Sequence, residues 1–400
     1  MLAKPFQPAL PILTKLENAG FTAYFVGGCV RDLFIGRDIH DIDIATSAAP
    51  EKVQDLFDKV IPVGIEHGTV IVRHDYESYE VTTYRTEGIY TDKRRPDSVN
   101  FIDNIEEDLK RRDFTINALA MDKNGNVLDL FKGQSDLRQQ LIRTVGDGKE
   151  RFHEDALRIL RALRFSSQLG FAIESSTLEA MKSMKHEIKS LAVERIASEI
   201  EKWAAGSHLN FSFQYLKNLK IDQELPVLKN HAGMLDRFPK TVHPLPTFAA
   251  FIAYCHLLNE SISTSEWASS WKCSNKTKRE ATALVEAWQN LQENGLNAKL
   301  VYRLGDELDD SLLAINHNFP SGKSLSLTEI DQLRKALPIR TKNDLALKGE
   351  EIIALFPNQQ KGRWIHELIV TMEQAVVEGN ARNTKNDLKE WIKWNPPVIN

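Results

Sequence analysis

The sequence predicts an α+β protein: an N-terminal mixed α/β part built on a small sheet, followed by an all-α C-terminal region. Three observations carry that reading. Residues 1 to about 130 hold β-rich runs broken by turn signals, among them TAYFVGG, DIDIA, GTVIVRH and YEVTTYR. From Arg151 onward helix follows helix, and no strand-like run stands out. At 400 residues the chain is too long for one small core, so two or more domains are expected.

The elements follow in order. Leu10, Leu13 and Leu16 recur at helical spacing and predict a short helix over residues 5–19. TAYFVGG reads as a strand running into a glycine turn, and DIDIA as a second strand. PEKVQDLFD, residues 50–58, reads as a helix with Pro50 near its start, where a missing N–H costs nothing. GTVIVRH and YEVTTYR are strands, with ESY between them able to turn. After Gly148, RFHEDALRILRALRFSSQLGF predicts one long amphipathic helix, with LEAMKSMKHEIKSL and VERIASEIEKWAAG as the next two. Prolines punctuate the later part, and no repeat of fixed period or low-complexity tract is present.

Composition narrows the class. Hydrophobic residues make up 42% and charged residues 26%, as in ordinary globular proteins. No run approaches the roughly 18 apolar residues of a membrane span. The opening MLAKPFQPALPILTKLENAG is broken by prolines and lysines and does not read as a signal peptide. Cys29, Cys255 and Cys273 are scattered and odd in number, which argues for a reduced, cytoplasmic setting with neither a disulfide framework nor a zinc site. His40, His67 and His153 lack metal-ligand spacing. The formal net charge of −4 gives no overall support for a nucleic-acid partner, but local basic clusters can neutralise phosphates. Lys93-Arg94-Arg95, Lys110-Arg111-Arg112 and Lys276, Lys278, Arg279 are such clusters, although solvated basic faces look the same in sequence.

The stretch GRDIHDIDIAT carries the chemistry. On a strand, Asp41 and Asp43 share one face while Ile42 and Ile44 point to the core. Two such carboxylates raise each other's pKa unless a cation lies between them. A hard divalent ion such as Mg²⁺, held by the two carboxylates plus substrate phosphates, resolves that conflict. An exposed acidic edge strand is the plain alternative. Just upstream, Gly27-Gly28-Cys29-Val30-Arg31-Asp32 follows a strand: Gly28 allows close backbone approach and Arg31 supplies a charged donor. A glycine turn with an arginine, then D-x-D, fits a nucleotide–metal site.

These residues resemble a known family. GGCVRD followed by DIDIAT is similar to the head motif of class II nucleotidyltransferases in the DNA polymerase beta superfamily, and most similar to bacterial CCA-adding enzymes, the tRNA nucleotidyltransferases. Lys110-Arg111-Arg112-Asp113-Phe114-Thr115-Ile116-Asn117-Ala118 resembles the family's RRDFTxNA segment. Asp129 to Gly133 with Asp136-Leu137, and Glu154-Asp155-Ala156-Leu157-Arg158 with Arg161 and Arg164-Phe165, resemble its next two motifs. The matches cover residues 20 to about 170, and the C-terminal half matches only in helical character and in GRWIHELI.

The resemblance implies template-independent addition of C, C and A to the 3′ end of tRNA from CTP and ATP. It implies a two-metal mechanism with two Mg²⁺ on the catalytic pair Asp41 and Asp43, one lowering the pKa of the tRNA 3′-hydroxyl and the other steadying the triphosphate as pyrophosphate leaves. It also implies nucleotide contacts from Gly28, Arg31, Arg112, Asp155, Arg158, Arg161 and Arg164. Glu80 is the candidate third carboxylate. CTP and ATP both present an amino donor beside a ring acceptor, which a carboxylate and an arginine can read. Asp155 and Arg158, three apart on the expected helix, are placed to be that pair, although the same spacing suits a plain surface ion pair. Residues 85–97 read as a polar loop of the kind that in the family helps switch the pocket from CTP to ATP. The expected division is a catalytic head at 1–145, a nucleotide-selecting neck at 146–205, a helical body at 206–290 and a tRNA-binding tail at 291–400. In the tail, Lys385, Lys389 and Lys393 with Trp391 and Trp394 suit a phosphate backbone and an exposed base. No membrane and no obligate protein partner is implied. Poly(A) polymerase, a CC-adding or A-adding enzyme, and a non-catalytic RNA-binding module are the alternatives.

Overall fold

A computed structural model describes residues 2–87, 99–319 and 323–397. The chain forms two units, Met1–Leu235 and Asp236–Asn400. In the first, α1 (Leu10–Asn18) buries Ile12, Leu13 and Leu16. A mixed sheet follows, from β1 (Ala23–Val26), β2 (Asp43–Thr46), β3 (Val60–Ile61), β4 (Thr69–His74) and β5 (Glu77–Thr83). Two short strands complete it further along the chain. The spatial order is β3-β4-β5-β2-β1, then Ala120–Met121 and Val127–Leu128. β2 lies antiparallel to β1 and parallel to β5. Between the strands run α2 (Gly28–Phe34) and α3 (Pro50–Leu56), the latter with its proline in the first turn as expected.

Two expectations for this sheet are corrected. β2 begins at Asp43, so Asp41 and Ile42 precede the strand. The register Phe25↔Ile44 explains why: β1 turns away at Gly27, where φ is +72°, and leaves Ile42 without a partner on that side. The β4–β5 turn falls on Asp75–Tyr76, both in the left-handed region at φ +47° and +67°, while Glu77, Ser78 and Tyr79 belong to the strand. A two-residue loop with both residues at positive φ matches the twist of the flanking strands.

β6 (Arg85–Glu87) pairs antiparallel with β7 (Val99–Phe101). The first three residues of the expected polar loop are therefore strand, and its remainder, residues 88–97 with the Lys93-Arg94-Arg95 cluster, lies outside the described residues. After α4 (Ile105–Lys110), capped by Asn104, come β8 (Ala120–Met121), β9 (Val127–Leu128), α5 (Gly133–Gln139) and β10 (Leu141–Ile142).

The expected long helix over residues 151–171 is two helices, α6 (Gly148–Glu154) and α7 (Leu157–Leu169). Asp155 breaks it: its backbone is extended at φ −145°, ψ 103°, and its carboxylate accepts the Leu157 N–H at 3.0 Å. A short acidic side chain competes in this way with the helical ladder. β11 (Ala172–Ile173) pairs in parallel with β10, a strand that its two-residue length hid in the sequence. α8 (Ser175–Met184), α9 (Val193–Ala204) and α10 (Leu209–Asn218) close this unit's helices.

The second unit is helical throughout its described residues, from α11 (Phe248–Leu258) to the last helix, Lys385–Trp394. Side chains of Thr247, Ser263, Ser274, Asn297, Ser326 and Thr384 each accept an N–H at a helix start, so local capping residues define these boundaries. Its C-terminal core gathers Ile352, Trp364, Leu368, Met372, Leu388 and Ile392. No helix among the described residues is long and apolar enough to cross a membrane.

Candidate active site

A cleft of about 640 Å³ opens in the first unit. Its acidic end is built on the sheet. Asp43, the first residue of β2, is the register partner of Glu80 on β5, and both line the cleft. Burial pushes the Asp43 carboxyl up to about 6, helped by the charges of Glu80 and Asp41 and opposed by Arg112 and Arg31. Asp41 itself is exposed and is not among the lining residues, although its charge reaches Asp43. Asp41 lies before β2, so the strand alternation expected from the sequence does not set its direction.

Gly27 shapes the wall beside this end. Its φ of +72° favours glycine, and a Cβ there would stand 3.0 Å from Arg112 Nη1. Gly28 opens α2, and Arg31 follows on its next turn. Arg31 donates from Nη1 to Asn117 Oδ1 at 2.7 Å and from Nε to Asp32 at 2.9 Å.

The remainder of the cleft is arginine-rich: eight arginines and four carboxylates line it. Most arginines are held on a carboxylate outside or at the edge of the space. Asp108, 1% exposed, accepts from Arg111 at 2.7 Å and from Arg112 at 3.2 Å, and the two guanidinium charges outweigh burial and keep its pKa low. Arg112 Nε is buried with no partner, a donor left over for an anion. Asp113 is buried, which alone would raise its pKa. The Arg161 charge and hydrogen bonds from Asn117 and Arg161 bring it instead to about 2. Arg164 pairs with Glu199 on α9 at 2.7 Å.

Asp155 and Arg158 both line the cleft, and the Arg158 N–H donates to the Asp155 carbonyl at 3.0 Å, but their side chains hold other partners. Asp155 Oδ2 accepts from Arg195 Nη2 at 2.8 Å. Arg158 donates to Glu154 at 2.6 Å and to the Arg111 carbonyl at 2.9 Å. The helix break at Asp155 removes the geometry that the three-residue spacing implied. Arg158, Arg161 and Arg164, winding around α7, all still reach the cleft.

Gly28, Arg31, Asp43, Arg112, Asp155, Arg158, Arg161 and Arg164 are thus brought together, with Glu80, and Asp41 stands outside the lining. Sequence reasoning missed Arg111, Asn117, Phe165 and Arg195 as lining residues. The first three lie within the runs KRRDFTINA and RALRF, whereas Arg195, 40 positions from Asp155, has no local signal. In the second unit, Trp394 is 85% exposed, Trp391 packs against the core, and Lys385 and Lys393 are paired with Glu351 and Glu390.

The acidic end fits a divalent cation in one respect. Burial and, after it, the charges of Glu80 and Asp41 raise the Asp43 pKa, so a cation beside Asp43 would offset an unfavourable negative charge. Among the described residues no group of three or more His, Cys, Asp or Glu is arranged to enclose a metal by itself. A cation that relies on one or two carboxylates plus substrate phosphates matches both facts.

Family models match along the chain: the Poly A polymerase head domain over residues 23–143, an RNA and SrmB-binding site of polymerase A over 170–231, and tRNA nucleotidyltransferase domain 2 over 247–392. The CCA-adding enzyme of Oceanobacillus iheyensis is 48% identical over the full length of both chains. That of Staphylococcus saprophyticus is 39% identical over 97% of this chain and 98% of its own. The crystal structure of the Bacillus stearothermophilus CCA-adding enzyme in complex with CTP is 34% identical, superposes with a TM-score of 0.83, and covers 98% of each chain. A nucleotidyltransferase head, an arginine-rich cleft and full-length relatives agree: the chain belongs to the family of bacterial CCA-adding enzymes.

Proposed function

We propose that this chain adds C, C and A to the 3′ end of tRNA without a nucleic-acid template, using CTP and ATP and releasing pyrophosphate. The observation that carries the proposal is one cleft with paired carboxylates at one end and arginines over the rest. The full-length relatives named CCA-adding enzyme, one of them solved with CTP, support the same reading.

In this reading Asp43, with Asp41 and Glu80, holds the divalent cation that the family uses, and Mg²⁺ is the ion the hard carboxylate oxygens suit. Bound as a pair, such ions would lower the pKa of the tRNA 3′-hydroxyl at one position and offset charge on the leaving pyrophosphate at the other. Arg31, Arg112, Arg161 and Arg164 bind and orient the triphosphate, aided by the unpartnered Arg112 Nε. Gly28 lets the chain approach it closely. Asp155 and Arg158, each held by its own partner, read the base edge from one wall; a base with a carbonyl in place of the amino group leaves them unsatisfied.

The finer division into head 1–145, neck 146–205, body 206–290 and tail 291–400 belongs to the same proposal, with Trp394 and Lys389 in the tail as tRNA contacts. A tRNA substrate and three free cysteines support a cytoplasmic setting.

The test is incubation of the protein and Mg²⁺ with tRNA lacking its last three nucleotides. Two additions with CTP, and a third only when ATP is also present, are the expected products on a sequencing gel. A long ATP-only ladder means poly(A) polymerase, two additions without a third mean a CC-adding enzyme, and no product means an RNA-binding module.

A further inference from the structure

Phe165 stands where arginines from two helices converge. The guanidinium carbons of Arg31 on α2, and of Arg161 and Arg164 on α7, lie 5.3, 5.3 and 4.3 Å from its ring centroid. The ring is 5% exposed, lines the cleft, and meets Phe114 edge-on at 5.8 Å.

Three cations this close repel. Burial, and with it the charges of Arg161 and Arg31, pulls the Arg164 pKa down against the pull of Glu199. Carboxylates answer part of the conflict: Asp32 on Arg31 at 2.9 Å, Asp113 on Arg161 at 2.6 Å and Glu199 on Arg164 at 2.7 Å. A carboxylate engages the N–H edge of a guanidinium and leaves its flat face open. An aromatic ring attracts the cation through its quadrupole, which an aliphatic side chain of similar size does not. With edges on carboxylates and charge over a ring, the guanidiniums keep further N–H groups for a polyanion.

We infer that Phe165 is a positioning residue of the triphosphate subsite, whose π-face gathers Arg31, Arg161 and Arg164 into a cluster that binds the β- and γ-phosphates. This rests on the reading of those arginines as triphosphate contacts. The ring acts on the phosphate end, so it serves CTP and ATP alike and contributes nothing to the choice between them.

The experiment replaces Phe165 in the full chain with mono-, di- and trifluorophenylalanine, which drain the ring quadrupole at nearly constant shape. Inorganic pyrophosphate and CTP are titrated by calorimetry, with the unfolding midpoint recorded for each protein. The expected result is a stepwise rise in both dissociation constants, about threefold to tenfold in total. The unfolding midpoint falls only slightly, as the same ring contacts weaken in the free protein, and the ratio of KM values for CTP and ATP does not change. Arg31→Gln and Arg164→Gln serve as controls. Flat constants across the fluorinated series, with the arginine variants still weakening pyrophosphate, would overturn the role of the ring and leave the subsite standing. Unchanged pyrophosphate affinity in both arginine variants would overturn the subsite, and the inference with it.

Discussion

Glu80 stands directly opposite Asp43 in the parallel pairing of β5 with β2, and both carboxylates line the same cleft. Neighbouring strands lie roughly 4.8 Å apart, close enough for the two acids to share one cation, and after burial the Glu80 charge is the next cause that raises the Asp43 pKa. Glu80→Gln is therefore expected to lower turnover about tenfold and to raise the Mg²⁺ concentration needed for half-maximal rate. Near-normal turnover at the usual Mg²⁺ concentration would remove Glu80 from the site.

The Asp43 carboxyl makes the site pH-dependent in a defined direction. Its folded pKa, about 6, lies above the ordinary 3.8, so the folded chain holds this proton more tightly than the unfolded one. The stability this contributes is complete below 3.8 and is lost as pH rises through 6, about 3 kcal/mol in all. A divalent cation competes with the proton and restores stability above 6. Thermal unfolding should show a Mg²⁺-induced rise in midpoint at pH 7.5 that vanishes at about pH 5. Asp43→Asn should abolish both the ion response and this part of the pH slope; an unchanged response would place the ion elsewhere.

Much of this site was legible because its motifs are local. The glycine turn, Arg31, Asp43, Arg112 and the α7 arginines each lie in a short run whose own backbone aims them. What was not legible depends on distant partners. Arg161 finds Asp113 across 48 positions, and Asp155 finds Arg195 across 40. The helix break at Asp155 turns on a carboxylate choosing the Leu157 N–H over the helical ladder, a local competition that apolar periodicity does not register. Asp41 falls outside its expected strand because β1 turns away at Gly27, which only the register of the pair reveals. The β10–β11 pair is too short to leave a pattern.

Asp113 carries the opposite pH signature to Asp43. Burial opposes its charge, but Arg161 and Asn117 hold its pKa near 2, below the ordinary 3.8. Its contribution to stability is present above 3.8 and is lost as pH falls through 2. Asp113→Asn removes the buried carboxylate from the half-buried Arg161 guanidinium, and urea unfolding at pH 7 should show a loss of about 2 kcal/mol, less than for a fully buried pair because solvent reaches the arginine. The same variant should bind CTP more weakly, since a released Arg161 no longer points at a fixed place. A stability loss below about 0.5 kcal/mol would mean that solvent already screens the pair.

Arg195 sets the orientation of Asp155. One carboxylate oxygen of Asp155 accepts from the Leu157 N–H and the other from Arg195, so neither rotates freely. A base-reading acceptor gains selectivity from being fixed: a mobile carboxylate can swing away from the carbonyl of a wrong base and escape the penalty that rejects it. Arg195→Gln should therefore raise KM for CTP and for ATP about tenfold and should increase incorporation of UMP relative to CMP. Asp155→Asn, which offers an amide N–H where an acceptor stood, should relax the same choice more strongly. The two changes act on one interaction, so the double variant should lose little beyond Asp155→Asn alone. Primer extension with each single nucleoside triphosphate measures all three proteins. Additive losses in the double variant would show that Arg195 contacts the nucleotide on its own account and does not work through Asp155.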